Sequence, residues 1–163
     1  MQSIPLEIER KYLIEYPDLA WLHRQPNLQK CLITQTYLLS AEGEESRVRE
    51  RLEGERVTYY HTVKRKITAI TREEQERIIT KAEYEKLLEA ADPQKRPLSK
   101  TRYCLPYGGL QIEIDVYPFW SNQAIAEVEL SSEDEAVEFP PEITVIREVT
   151  GESAFKNAEL ARK

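Results

Sequence analysis

Hydrophobic and polar residues alternate along most of the chain with a period of two, which is the pattern of half-buried β-strands. Short turn signals interrupt the alternation, and we expect hairpin turns at Gly43 and at Glu53-Gly54. The predicted strands span residues 6–13, 30–40, 46–53, 56–66, 71–79, 99–105, 110–117 and 124–130. Many short strands joined by brief connections indicate a mainly β (α+β) barrel.

One segment, residues 81–91, has a strong helical pattern. Thr80 suits the N-cap position there, Glu83 follows three residues later as in a capping box, and Pro93 ends the helix. Shorter helices are predicted at residues 17–24, from Ser131 or Ser132 to Val137, and at residues 153–161.

The polar face of these strands is charged, and the charges fall in rows of one sign. Residues two apart on a strand share a face, and such rows are Glu7 and Glu9, Arg47 and Arg49, Lys100 and Arg102, Glu113 and Asp115, and Glu127 and Glu129. A single row is ordinarily a solvated sheet face. The repetition of nearly pure rows, with apolar residues on the opposite face, favours a different arrangement.

A sheet that closes into a barrel would turn the charged faces inward and pack the apolar faces against short helices outside. Such an interior must hold water, metal or a charged ligand, because unpaired charges are not stable in an apolar core. We therefore predict a closed antiparallel β-barrel with short helices packed outside, in a single domain over residues 1–163.

The charged rows indicate phosphate chemistry with a divalent metal. Paired carboxylates are hard oxygen ligands that suit Mg²⁺ or Mn²⁺, and arginine pairs suit bidentate contacts with phosphate oxygens. Together they are what a chain of phosphates requires, because the cations balance the anion while a metal polarises the phosphoryl group or its attacking water. The sequence has no GxxxxGK[ST] motif, which excludes a P-loop mechanism.

The composition limits the class of binding partner and the cellular compartment that we expect. The net charge of −6 weighs against a protein that binds duplex nucleic acid through its overall field. Cys31 and Cys104 lack zinc-site spacing and are expected to be free thiols, and neither a signal-peptide core nor a membrane-spanning run is evident. We expect a cytoplasmic protein with no membrane partner, whose partner is a small-molecule triphosphate.

Taken in order, the charged motifs resemble those of a known family. Glu7-Ile8-Glu9-Arg10-Lys11 matches the ExExK signature of the CYTH superfamily, the triphosphate tunnel metalloenzymes. The other matching motifs are Arg47-Val48-Arg49, Thr62-Val63-Lys64, Arg72 with Glu74 and Glu76, Lys100-Thr101-Arg102, Glu113-Ile114-Asp115, Glu127-Val128-Glu129, and the ending from Glu148 to Ala161, which resembles that of the small bacterial members. The segment Lys64-Arg65-Lys66 is more basic than the TxK pattern requires, which suits a longer anion or an exposed strand end.

The resemblance implies an eight-stranded antiparallel tunnel that acts on triphosphates with Mg²⁺ or Mn²⁺. It implies principal metal ligands at Glu9, Glu127 and Glu129, further carboxylates near the metal or its waters at Glu7, Glu113 and Asp115, and an acidic wall that could help with a second metal at Glu74 and Glu76. The phosphate-binding residues that it implies are Lys11, Arg47, Arg49, Lys64, Arg102 and Lys156. It also implies that Lys100 activates water together with Tyr37, although Lys100 could equally be one more phosphate contact.

The leading hypothesis is hydrolysis of a linear triphosphate, with inorganic tripolyphosphate favoured because the chain shows no evident segment for recognising a base. The alternatives with the same tunnel are a class IV-type adenylyl cyclase, which would make cyclic AMP from ATP, and a thiamine triphosphatase. The latter could stack its heterocycle on Trp21, Phe119 or Trp120, although such residues more often pack helices. A non-enzymatic polyphosphate or nucleotide-binding module and processing of RNA 5′-triphosphate ends also stay open.

Overall fold

The computed structural model describes residues 5–162, and its strands form a single sheet that closes on itself. The strands are β1 (Leu6–Glu15), β2 (Gln29–Leu38), β3 (Glu44–Glu53), β4 (Arg56–Lys66), β5 (Thr71–Ile79), β6 (Leu98–Tyr107), β7 (Leu110–Val116), β8 (Gln123–Leu130) and β9 (Val145–Glu148). Eight of them form an antiparallel barrel in the order β5-β4-β3-β2-β6-β7-β8-β1, and β1 pairs with β5 to close it. The predicted closed eight-stranded β-barrel is confirmed.

Strand β1 closes the barrel and also carries the ninth strand. Its first half pairs with β5, where Ile8 lies opposite Thr71, and its second half pairs with β9, where Tyr12 lies opposite Glu148. Strand β8 pairs with β1 along its other edge from Ile8 to Glu15. Strand β9 was not predicted from the sequence, because all four of its residues are exposed and the strand has no alternation of burial.

Two short helices pack outside the barrel, as predicted. Helix α1 (Leu19–His23) starts at Asp18, whose side chain accepts a hydrogen bond from the Trp21 backbone N–H. Helix α2 (Lys81–Leu87) continues as a 3-10 turn (Leu88–Ala90), and Thr80 and Glu83 form both halves of the expected capping box.

Two other helical predictions need correction. The helix predicted from Ser131 to Val137 was wrong: the segment is a turn, in which the backbone N–H and the hydroxyl of Ser131 both donate to Glu135 Oε1 at 2.8 Å. The predicted helix over residues 153–161 exists only in part, as a 3-10 turn (Ser153–Phe155) followed by helix α3 (Asn157–Leu160). Lys156 between them has an extended backbone, which separates the two pieces.

The apolar core lies mainly outside the barrel. The outward-facing residues Ile14, Ile114 and Val128 belong to a buried cluster that includes Leu22 of α1, and Val48 packs in a second cluster with Tyr84 of α2. A third cluster lies at one end of the interior, where inward-facing apolar residues meet the C-terminal segment; its members include Leu13, Tyr37, Leu98, Ile125 and Ala161. The rest of the interior is therefore left to charged side chains. Within residues 5–162, no helix combines the length and the apolar character needed to cross a membrane.

Candidate active site

The barrel interior is divided into an acidic half and a basic half. Its carboxylates come from four strands that are neighbours in the sheet, β7, β8, β1 and β5, and its cations come chiefly from β4, β3 and β6 on the other side. We call the first set the acidic wall, which consists of Glu7, Glu9, Glu74, Glu76, Glu113, Glu127 and Glu129. The second set is the basic wall, which consists of Arg47, Arg49, Arg51, Lys64 and Arg102.

A cavity of about 360 Å³ lies between the two walls. Thirteen of its fourteen lining residues are charged, so it suits a highly charged ligand rather than an apolar one. It brings together twelve of the sixteen site residues predicted from the sequence: Glu7, Glu9, Lys11, Arg47, Arg49, Lys64, Glu74, Glu76, Arg102, Glu113, Glu127 and Glu129. The side chains of Lys100, Asp115, Tyr37 and Lys156 lie elsewhere.

Two arginines of the basic wall face the cavity and have no anionic partner in the described part of the chain. Within residues 5–162, Arg47 and Arg49 have no carboxylate within 4.0 Å, and the buried Nε of Arg47 has no hydrogen-bond partner. Among the described residues, Arg49 Nε donates only to the neutral side-chain oxygen of Gln35, at 3.3 Å. Burial and the neighbouring charges of Arg47 and Arg102 lower the pKa of Arg49 to about 10. These guanidinium groups are placed for an anion that the protein itself does not supply.

Other charges in the cavity form ion pairs with residues of adjacent or nearby strands. Lys64 Nζ lies 3.0 Å from a carboxylate oxygen of Glu7 and 3.8 Å from one of Glu74. Lys11, which extends from the acidic side, lies 3.5 Å from Glu127. These contacts hold part of the acidic wall in ion pairs.

Burial and mutual repulsion shift the pKa values of several carboxylates of the acidic wall. Burial, together with the charges of Glu127 and Glu7, raises the pKa of Glu9 to about 8. Burial and a hydrogen bond with Glu7 raise the pKa of Glu74 to about 9. Burial would also raise the pKa of Glu7, but the hydrogen bond from Glu74 and the charge of Lys64 outweigh it and lower that pKa to about 2. The wall therefore has more carboxylates than the nearby cations can neutralise.

The donor chemistry of this wall fits a hard divalent cation. Glu9 and Glu129 form no ion pair among residues 5–162, so their oxygens remain available as ligands. The described part of the chain has no group of three or more acidic, histidine or cysteine side chains already arranged around one point. Glu7, Glu113 and Glu127 instead form ion pairs with cations of the cavity.

Lys100 and Asp115 lie behind the cavity wall, and both side chains are fully buried. Lys100 Nζ is 2.8 Å from Asp115 Oδ2, and Arg102 donates two hydrogen bonds to the same carboxylate at 2.8 and 2.9 Å. Burial, assisted by the charges of Arg102 and Arg49, lowers the pKa of Lys100 to about 7, although Asp115 opposes the shift. Asp115 is thus engaged by two cations, and its role as a ligand near the metal stays a prediction.

Tyr37 and Lys156 occupy two other environments. Tyr37 is buried in the apolar cluster at the end of the barrel, where its hydroxyl accepts a hydrogen bond from Gln35 Nε2 at 2.8 Å. Burial raises its pKa well above the ordinary value. Lys156 lines a second, smaller cavity, which shares Lys64 with the first. The catalytic role of Tyr37 and the phosphate-binding role of Lys156 also stay predictions.

Two residues that line the cavity, Arg51 and Asn157, were not predicted from the sequence. Arg51 continues the row of Arg47 and Arg49, and its same-face spacing could have identified it. Asn157 lies at the start of α3, where Tyr117 donates a hydrogen bond to its side chain. Its only signal in the sequence was its position beside Lys156.

Of the aromatic residues considered for stacking a heterocycle, Trp21 and Trp120 lie in packing clusters, whereas Phe119 is exposed and contacts Trp120 and Tyr117. Trp21 packs against the outer apolar cluster of the barrel. Trp120 packs against the cluster at the end of the barrel and makes edge contacts with Phe119 and Tyr117. Their positions match the packing role that is usual for such residues.

Comparisons with known proteins agree with this arrangement. The family model described as "CYTH domain" matches residues 5–163, whereas a search of curated proteins found no match. The solved structure of the inorganic triphosphatase NE1496 is similar, with 30% sequence identity, coverage of 99% of this chain and 95% of that chain, and a TM-score of 0.55.

Two more distant structures share the fold. PH1819 from Pyrococcus horikoshii OT3 has 19% identity, a TM-score of 0.60, and coverage of 78% of this chain and 80% of that chain. The putative adenylyl cyclase HpAC1 from Hippeastrum has 13% identity, a TM-score of 0.51, and coverage of 77% and 80%. These two show likeness of fold alone. The match of the family model over nearly the whole length, on a barrel whose interior carries the expected charges, establishes that this chain belongs to the CYTH domain family.

Proposed function

We propose that this protein is an enzyme that hydrolyses a linear triphosphate, with inorganic tripolyphosphate as the favoured substrate and Mg²⁺ or Mn²⁺ as the cofactor. The observation that carries the proposal is the pair Arg47 and Arg49, which face a charged cavity opposite a wall of carboxylates and have no carboxylate partner within residues 5–162. The similarity to a protein described as an inorganic triphosphatase, at 30% identity over nearly all of both chains, supports it.

The basic wall would bind the phosphate chain. Guanidinium groups donate two parallel hydrogen bonds to phosphate oxygens, so the unpaired Arg47 and Arg49 suit the orientation of successive phosphates. Arg102, whose Nε and Nη2 bind Asp115, would contribute through Nη1, where an anion competes with Glu113. Lys11 and Lys64 would add compact positive charges. They are paired with Glu127 and Glu7, and a phosphate in the cavity would compete with these carboxylates for the two ammonium groups. We assign these five residues to substrate binding.

The acidic wall would hold the metal. Glu9 and Glu129 are the carboxylates that we assign first, with Glu127 as a third, since all three line the cavity opposite the basic wall. A divalent metal ion held by these carboxylates would neutralise phosphate charge and make the phosphorus more susceptible to nucleophilic attack by water. Glu7, Glu74, Glu76 and Glu113 would complete the negative field that attracts it.

The reaction needs an attacking water and a place for its proton. The water oxygen forms a bond to a terminal phosphorus, the bridging P–O bond to the rest of the chain breaks, and pyrophosphate leaves. We propose that Lys100, which lies behind the cavity wall on the same strand face as Arg102, helps to take the proton, because burial lowers its pKa to about 7 and hence gives it a substantial neutral fraction. Tyr37 would act with it, and the alternative role of Lys100 is a phosphate contact in the charged form.

A time course with purified protein tests the proposal. Tripolyphosphate and ATP would each be incubated with Mg²⁺ or Mn²⁺, and free phosphate, pyrophosphate and cyclic AMP would be measured. We expect phosphate and pyrophosphate from tripolyphosphate, with ATP much slower. Cyclic AMP with pyrophosphate from ATP would replace the proposal with a cyclase, and tight tripolyphosphate binding without products would replace it with a binding module.

The state of the cysteines supports a cytoplasmic setting for this enzyme. Cys31 and Cys104 are both free and buried. Burial raises the pKa of both thiols, which keeps them in the unreactive form. We propose a reducing compartment on this basis.

A further inference from the structure

A second cavity, of about 160 Å³, adjoins the charged cavity. We call it the Lys66 pocket; its charged lining residues are the cations Lys64, Lys66, Arg72 and Lys156 and the carboxylates Glu44 and Glu45. Its other lining residues are glycine and alanine, which leave the backbone accessible. Lys64 lines both cavities, so an anion held by the basic wall has a neighbouring cationic site within reach.

The cations of the Lys66 pocket lie close enough to repel one another. Lys66 and Arg72 lie directly opposite in the pairing of β4 with β5, an arrangement of like charges that destabilises a sheet. Lys64 precedes Lys66 by two residues on the same face, about 7 Å away. Two strands therefore direct three cations into one small space at a cost to the free protein.

The carboxylates of the Lys66 pocket compensate these cations only in part. Among residues 5–162, Lys66 and Lys156 form no ion pair, and the contact between Arg72 and Glu45 is long, at 4.0 Å. Glu44 is paired with Arg65, which lies on the opposite face of β4. Burial and the charges of Arg72 and Lys66 lower the pKa of Lys156, as expected in a positive field.

We propose that the Lys66 pocket binds the phosphate group that follows a bound triphosphate, so that the substrate class includes linear polyphosphates of four or more phosphates. Lys64 would contact the last phosphate of the triphosphate segment, and Lys66 and Arg72 the next one. The inference rests on the proposed binding of triphosphate in the main cavity. It assigns a role to Lys66 and Arg72, which lie outside that cavity.

Binding measurements without turnover test the inference. Calorimetry would give the dissociation constants of tripolyphosphate and linear tetraphosphate for the full chain, without divalent metal and at about 0.15 M salt, to suppress weak surface binding. The variants are Lys66→Gln and the double variant Lys66→Gln with Arg72→Gln. The control is Lys81→Gln, which removes an exposed lysine at the start of α2.

We expect the unaltered protein to bind tetraphosphate about tenfold more tightly than tripolyphosphate, the effect of one charge-assisted contact. Lys66→Gln should reduce this preference to about onefold to threefold, while the affinity for tripolyphosphate changes by about twofold or less. Lys81→Gln should keep the full preference. An equal preference in Lys66→Gln and the unaltered protein would overturn the inference.

The outcome does not depend on catalysis. If tripolyphosphate binds but is never hydrolysed, the proposed enzyme activity is wrong. The ratio of the two dissociation constants still tests whether the Lys66 pocket binds a fourth phosphate. If tripolyphosphate is hydrolysed but the tetraphosphate preference is absent, the pocket fails alone. Lys66→Gln relieves a repulsion between opposed cations, so we expect the variant to fold at least as well as the unaltered protein.

Discussion

Replacement of Arg49 by glutamine should stabilise the free protein and weaken its binding of tripolyphosphate. The guanidinium group faces the cavity, and Gln35 is its only hydrogen-bond partner among the residues that the structure describes. Burial beside Arg47 and Arg102 lowers its pKa to about 10. At neutral pH the group is charged in both the folded and the unfolded chain, and the folded chain holds this proton less tightly. The cost to folding is therefore present at every pH below about 10 and corresponds to at most about 3 kcal/mol.

Glutamine removes the charge but keeps an amide that can hydrogen-bond to Gln35. We expect the free energy of unfolding, measured by urea denaturation, to rise by about 1–3 kcal/mol. The dissociation constant for tripolyphosphate, measured by calorimetry, should rise about 10- to 100-fold, because a charge-assisted contact is lost.

A matched control is Arg24→Gln, which removes an exposed arginine next to α1 and should change neither quantity appreciably. The two measurements separate a binding role from a structural one. A variant that is less stable by more than about 1 kcal/mol and binds tripolyphosphate normally would refute the reasoning.

Three further predictions concern the metal and Lys100. Glu129→Gln should lower turnover by ~10²-fold or more because a metal ligand is lost. Its melting temperature should stay within about 2 °C of that of the unaltered protein. Normal turnover would show that the metal lies elsewhere. Titration of the metal-free protein with Mg²⁺ at neutral pH should release about one proton, because Glu9, with a pKa of about 8, must ionise to bind; binding enthalpies that do not depend on the buffer would contradict this. Between about pH 7 and pH 10, the unaltered protein should gain about 1.4 kcal/mol of stability per pH unit relative to Lys100→Met, since the unfolded chain there binds the proton that the folded chain has lost. The free energies of unfolding of the two proteins would be measured by urea denaturation at each pH. If they changed in parallel between about pH 7 and pH 10, the pKa of Lys100 would not be lowered.

The strands could be predicted because alternation is a local signal and most strands of this barrel have one buried and one charged face. The bounds of β4 and β5 agree with the prediction to the residue. The turn after Ser131 was mistaken for a helix because a serine followed by acidic residues also suits a helix start. There the side chain of Glu135 satisfies the Ser131 backbone N–H instead, and the chain continues without helical hydrogen bonds.

The sequence could predict which charged residues share a strand face, but not which of them reach the cavity. Residues of one row share a face, so the sequence could place Glu113 with Asp115 and Arg102 with Lys100. Only the tilt and closure of the strands decide which member of a row reaches the cavity. In each of these two rows one residue lines the cavity, and the other is buried behind it. The partners of Asp115 depend on the register between β6 and β7, which alternation cannot supply.

The division of each strand into two faces also explains how the fold tolerates such an interior. On β8 the outward-facing Ala126 and Val128 are fully buried in the main apolar cluster, whereas Glu127 between them points into the cavity. Stability therefore comes mainly from residues that never meet the substrate, and the uncompensated charges inside subtract from it. Because adjacent residues on one strand carry the two tasks, changes of charge inside the barrel should alter binding and catalysis without removing the packing that holds the sheet closed.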